Sequence, residues 1–204
     1  MKKGNKEKQE KKKIVILDTS AIIHGNLYYL KQFGQLLTIP EVLEEIKDSD
    51  SLFKINFEDI LVDFPSDSAI KKVKNIVKKS GETLSKTDIK VLAMAETLKR
   101  RNETEPFDLE ITISTDDYGI QNIAKKMGFK FMPVSTEGIK EERDYLKKCV
   151  RCLMIYNPDL PYCPRCNEEA FKKVPKLLKS KRRNRANINS KKKQRSHNNN
   201  KRRS

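Results

Sequence analysis

The chain has 204 residues, 44 Lys/Arg against 28 Asp/Glu and a net charge of +16, room for one domain of ordinary size and a smaller module. The charge sits at the two ends: residues 172–204 carry 15 Lys/Arg and no acid, residues 1–13 carry seven Lys against Glu7 and Glu10, and 14–171 is left at −4. No apolar run approaches a membrane span, and the short one after the basic start stops at Asp18, too soon for a signal peptide, so a cytoplasmic, reducing location is expected.

Residues 1–13 contain no Val, Ile, Leu or aromatic side chain and are expected to be a disordered basic arm. Ile14–Leu17 is a continuous apolar run of the kind found in a buried parallel strand. Leu36–Ile39 is a second strand, stopped by Pro40, which opens a helix carrying Val42, Leu43 and Ile46 on one face. Ile60–Phe64 reads as a strand. Ala69, Ile70, Val73, Ile76 and Val77 then repeat at helical spacing up to Gly81. Ser85, with Asp88 three residues on, starts a helix whose stripe is Val91, Leu92, Ala95 and Leu98. Leu109–Ser114 is a strand, Ile120 to Met127 a helix closed by Gly128, and Lys130–Val134 a last strand. Strands alternating with helices predict an α/β domain over 14–135: a three-layer parallel sheet with helices on both faces. Residues 136–148 read as a charged helical connector, 149–171 as a small cysteine module and 172–204 as a disordered basic tail.

All four cysteines lie in two pairs, Cys149-x-x-Cys152 and Cys163-x-x-Cys166. Two such turns aim four thiolates at one point, the donor set of a tetrahedral structural Zn²⁺ site. A module this short buries too little apolar surface to fold without the metal. A redox role would explain one pair but not two. Tyr156, Tyr162, Arg151 and Arg165 sit in or beside the turns, either as contacts for RNA or, in the case of the tyrosines, as packing for the small core.

In a parallel sheet, ligands bind beyond the carboxyl ends of the strands. Asp18 follows the first strand; Asp116 and Asp117 follow Leu109–Ser114. Asp88 lies in the first turn of its helix and Glu45 in the helix after the second strand. Each has an ordinary alternative: Asp18, Asp116 or Asp117 as a helix cap, Asp88 as the acid of a capping box, Glu45 as a solvated helix residue. Two carboxylates about 4 Å apart repel by about 4 kcal/mol at an effective dielectric of 20. Gathering four would therefore call for hard, oxygen-loving Mg²⁺ or Mn²⁺, suited to phosphodiester hydrolysis. No Gly-rich phosphate loop is present, and His24 and His197 fall in a loop region and in the tail, so no Ser-His-Asp set competes.

The segments VILDTSA (15–21), PEVLEEIKD (40–48), LSKTD (84–88) and STDDYGIQ (114–121) resemble the PIN-domain nucleases. Followed by a four-Cys ribbon, they resemble in particular the endonucleases that mature the 3′ end of small-subunit ribosomal RNA, in their compact archaeal-type form; the resemblance spans 14–166. It implies a metal-dependent endoribonuclease acting on precursor ribosomal RNA in the assembling small subunit, with zinc structural and Mg²⁺ or Mn²⁺ catalytic. It carries the metal-binding acids onto Asp18, Glu45 (rather than Glu44), Asp88 and Asp116, with Asp117 assisting and Ser20 and Thr115 as the hydroxyls that orient them. The basic ends fit RNA binding: if ten tail charges met single-stranded phosphates, the log–log salt slope would be about −7. A toxin-type PIN ribonuclease and a non-catalytic RNA-binding assembly factor are the alternatives, the first disfavoured by the ribbon and basic tail, the second by the full set of acids.

Overall fold

The computed structural model describes residues 11–103 and 108–176, except for the side chains of Asn56 and Phe57. Most of the basic arm and tail lies outside these residues. Five strands form one parallel sheet in the order β3-β2-β1-β4-β5: β1 (Lys12–Leu17), β2 (Gln35–Thr38), β3 (Leu61–Val62), β4 (Leu109–Ser114) and β5 (Lys130–Met132). Val15, Ile16 and Leu17 are all fully buried. Consecutive strand residues point to opposite faces, so this central strand is covered on both sides. Because β1 starts at Lys12, Lys12 and Lys13 belong to the sheet and not to the basic arm.

The helices are α1 (Thr19–His24), α2 (Leu27–Lys31), α3 (Pro40–Glu45), α4 (Ser49–Phe57), α5 (Asp67–Ser80), α6 (Lys86–Asn102) and α7 (Tyr118–Lys126). Helix α5 is capped by Ser66, whose side chain accepts from the Ala69 amide, and packs Ala69, Val73 and Val77 inward. It lies on α6, which in turn packs on β1 and β4. Buried on every side from Val91 to Leu98, α6 is the core helix, and its buried Glu96 is held by Lys72 and Arg100. The pattern did not give α1, α2 and α4: the first two span only six and five residues, and α4 leaves Leu52 and Phe53 exposed, so none shows a clear apolar stripe. His24, expected in a loop, is the exposed last residue of α1.

The expected helical connector is not helical. Residues 136–144 form bends and extended chain, and β6 (Tyr145–Cys149) follows directly. Only Ile139 is apolar between Thr136 and Asp144, and Gly138 sits at φ +71°, so there is neither a stripe to bury nor a helical backbone. A second sheet, β7-β6-β8, adds β7 (Ile155–Tyr156) and β8 (Phe171–Pro175). The cysteine module thus runs from Tyr145 to Pro175, and Lys172 and Lys173, assigned to the tail from sequence, are strand residues. Gly81, the left-handed C-cap of α5, lies where a Cβ would come within 2.3 Å of the Tyr145 carbonyl oxygen. Only glycine allows the module's first strand to approach there.

Candidate active site and zinc module

The end of β1 is tied to the end of β4: the Asp18 amide donates to Ser114 O at 3.1 Å. That junction brings Asp18, 5% exposed, beside Thr115, fully buried. Asp18 occupies the N-cap position of α1 but makes no side-chain cap bond, so the simple capping alternative does not hold. Its Oδ2 instead accepts from Thr115 Oγ1 at 2.8 Å and Ser20 Oγ at 3.0 Å. Burial raises the Asp18 carboxyl above the usual range, and the charge of Asp88 adds to it; the hydroxyl donors oppose the shift.

Asp88 does complete a capping box: Ser85 N donates to Asp88 Oδ2 at 2.7 Å and Asp88 N to Ser85 Oγ at 3.0 Å. The cap does not satisfy it electrostatically. Burial, followed by the like charges of Asp117 and Glu45, raises its pKa. Glu45, the last residue of α3, accepts from Thr19 Oγ1 at 2.6 Å, which draws α3 to the start of α1. At the carboxyl edge of the sheet Asp88 is thus within electrostatic reach of Asp18, Glu45 and Asp117. Their spacing is looser than that of the cysteines: among the described residues, only the four thiols place all their ligand atoms within 4.8 Å of one another.

Asp116 has different surroundings. Its carboxylate accepts from the amides of Val134, Ser135 and Thr136 and from the Ser135 and Thr136 hydroxyls, at 2.5 to 3.3 Å. Burial works against its ionised form, but the Ser135 hydroxyl and these amides outweigh it and hold the pKa at about 2. Its backbone amide donates to Ser20 Oγ. Asp117 caps α7, its Oδ1 accepting from Gly119 N and Ile120 N, and its amide donates to Thr115 Oγ1 at 3.0 Å. The Asp117 charge is one of those that raise the Asp88 pKa. Ser20 and Thr115 both donate to Asp18.

Two polar residues escaped the sequence reading. Gln121 is fully buried on α7; its Nε2 donates to Thr115 O at 2.9 Å and its Oε1 accepts from Ile139 N at 2.9 Å. Asn122 accepts from Arg143 N, donates to Arg143 O and reaches Glu82 Oε2. Together they fasten the 136–144 segment to the helix that begins at Asp117. The available signal was two amides on a helix face that otherwise buries Ile120, Ile123 and Ala124.

In the cysteine module, Cys149 and Cys166 sulfurs lie 3.6 Å apart and Cys152 and Cys163 sulfurs 3.5 Å apart. A tetrahedron with Zn–S bonds of about 2.3 Å has edges of about 3.8 Å, so the four sulfurs fit zinc. The Cys152 amide donates to Cys149 Sγ at 3.4 Å and favours its thiolate. Each turn is followed by a left-handed residue, Leu153 after Cys152 and Asn167 after Cys166. Tyr156 packs with Cys149 and Cys163 in the small core, whereas Tyr162, Arg151 and Arg165 are exposed. The packing alternative is therefore met by Tyr156 alone.

A profile for the PIN domain of ribonuclease matches residues 15–98. Endoribonuclease Nob1 of Methanocaldococcus jannaschii is 35% identical over 175 residues, 83% of each chain, and that of Archaeoglobus fulgidus 32% identical over 172 residues, 83% of this chain and 95% of the other. Ribonuclease VapC1 of Thermoplasma acidophilum is 31% identical over 160 residues, 76% of each.

Proposed function

The chain belongs to the Nob1 family of PIN-domain endoribonucleases, and from that premise we propose that it hydrolyses a phosphodiester bond at the 3′ end of precursor small-subunit ribosomal RNA, in the cytoplasm and within the assembling subunit. The observation that carries this reading is the buried Asp18 carboxylate, held by two hydroxyl donors and within electrostatic reach of Asp88. Asp18, Glu45, Asp88 and Asp117 would hold Mg²⁺ or Mn²⁺, with Asp117 taking the place that sequence gave to Asp116; hard carboxylate oxygens suit either ion. When bound, the ion supplies Lewis-acid stabilisation to the attacking water and the leaving oxygen. Thr115 and Ser20 keep the Asp18 oxygens aimed, and Thr19 does the same for Glu45. Cys149, Cys152, Cys163 and Cys166 would hold a structural Zn²⁺; with four sulfur ligands it would have no open position and would take no part in the chemistry. Among the described residues no helix is long and apolar enough to cross a membrane.

The test incubates the purified protein and its Asp18→Asn variant with RNA spanning the small-subunit 3′ junction, with and without Mn²⁺. Mn²⁺-dependent cleavage by wild type alone is expected. Equal cleavage by the variant overturns the catalytic assignment, and binding without cleavage by either makes the chain a non-catalytic assembly factor. The likeness to VapC1 supports a second reading, a ribonuclease of transfer or messenger RNA; preference for those RNAs over the junction would select it.

A further inference from the structure

We propose that the groove between α7 and the 136–145 segment binds a single strand of RNA, with Tyr118 as the platform for one unpaired base and Lys140 and Arg143 as its phosphate contacts. The proposal rests on the nuclease reading only in taking Asp117 as the point where the strand meets the acids.

The groove encloses about 800 Å³, near the upper end of the roughly 300–1,000 Å³ typical of ligand sites. It shares Asp117 with the acidic group, so what lies in it is already at the cutting edge. Tyr118 follows Asp117 directly, is 55% exposed and opens α7 without packing into the core. An exposed ring beside a reactive edge offers a face to any base, and a base can use it only when unstacked from a helix. The cations come from the facing wall. Among the described residues Lys140 pairs with Glu137, an ion pair with both side chains more than four-fifths exposed and of little strength. The exposed Arg143 side chain has no ion-pair partner among the described residues. Lys173, also in the lining, is already bound by Glu82.

The walls are fixed in advance. Asn122 grips the main chain of Arg143 at both its N–H and its C=O, and Gln121 grips that of Ile139. These clamps use backbone atoms, so the Arg143 side chain projects from a rigid base and can be removed without loosening the groove. The lining balances Lys140, Arg143 and Lys173 against Glu82, Asp117 and Glu141, so a strand held here is gripped by stacking on Tyr118 and by the Lys140 and Arg143 side chains, contacts that any single-stranded sequence can make.

The experiment uses the full-length Asp18→Asn chain, expected to leave RNA uncut, with short single-stranded RNAs carrying one 2-aminopurine at successive positions and a matching duplex as control. Quenching at one position is expected, lost in Tyr118→Ala and restored in Tyr118→Phe. Arg143→Ala should reduce the salt slope for single-stranded RNA by about 0.7, one phosphate contact. Zinc content and Tm of each variant verify the fold. Retained quenching in Tyr118→Ala overturns the proposal, as does an equal loss of affinity for single strand and duplex. Failure of wild type to cut RNA, with position-specific quenching intact, would remove the nuclease reading and leave the groove standing.

Discussion

Thr115 Oγ1 donates to Asp18 Oδ2 at 2.8 Å across 97 positions of sequence, and the same oxygen accepts from the Asp117 amide at 3.0 Å. One buried hydroxyl therefore fixes both the acid after β1 and the start of the helix after β4. It is a partner of the ionised Asp18, opposing the burial that favours the neutral form. Thr115→Val should lower Mn²⁺ affinity and cleavage by about 10- to 100-fold, the usual effect of losing a group that orients a metal ligand, and Thr115→Ser should restore both. Mn²⁺ titration beside single-turnover cleavage measures this.

The adjacent acids should separate cleanly. Asp117→Asn is expected to lower cleavage by roughly two orders of magnitude or more, because it removes a charge from the acidic group. Asp116→Asn should leave cleavage within about threefold. Its effect should be on stability: a folded pKa of about 2 lies below the ordinary 3.8, so Asp116 stabilises the fold above 3.8 and the contribution is lost as pH falls toward 2. Acid melting curves of the two variants against wild type test the assignment; the reverse pattern would restore Asp116 as the metal ligand.

Asp18 and Asp88 carry the opposite sign. Their folded pKa values lie above 3.8, so between that value and the raised ones the folded state binds more protons than the unfolded chain, and metal-free stability falls as pH rises through the window. Asp18→Asn should remove its part of that dependence, giving a Tm at neutral pH equal to or above that of metal-free wild type. Added Mn²⁺ should raise the Tm of wild type far more than that of the variant. Calorimetry with and without Mn²⁺ distinguishes this from a simple packing change.

Zinc removal should be local in its consequences. One Zn²⁺ per chain is expected, and strong chelation should abolish ordered structure around Tyr156 while the parallel sheet, with its own core, stays folded. Amide NMR spectra before and after chelation report both regions at once; collapse of the sheet signals would refute the separation.

The basic tail has to be removed with regard to β8. A cut at 172 deletes a strand and the Lys173–Glu82 pair, so truncation should begin at 177. Removing 177–204 takes away 12 Lys/Arg and should flatten the salt dependence of RNA binding by several units in the log–log slope. A truncated chain that keeps its full slope would assign that electrostatic binding to the folded body, even though 14–171 has a net charge of −4.

Local pattern sufficed for much of this protein. The apolar run at Ile14–Leu17, the helical stripe ending at Gly81, the Ser85–Asp88 box and the paired cysteines each depend on neighbours a few residues away, and each lies where the pattern put it. The sequence could also limit the acids to a handful of candidates, since strand ends in a parallel sheet share one edge. It preferred Asp116 to Asp117, and it had no view of the 134–136 amides, which arrive from another strand and hold the Asp116 carboxylate. Nor could it show that Gln121 and Asn122 hold down a non-helical segment, since their partners, Ile139 and Arg143, are backbone atoms and leave no trace in side-chain pattern. Composition and periodicity decide which elements form; the hydrogen bonds made by chain returning from far away decide how each of two neighbouring carboxylates is held.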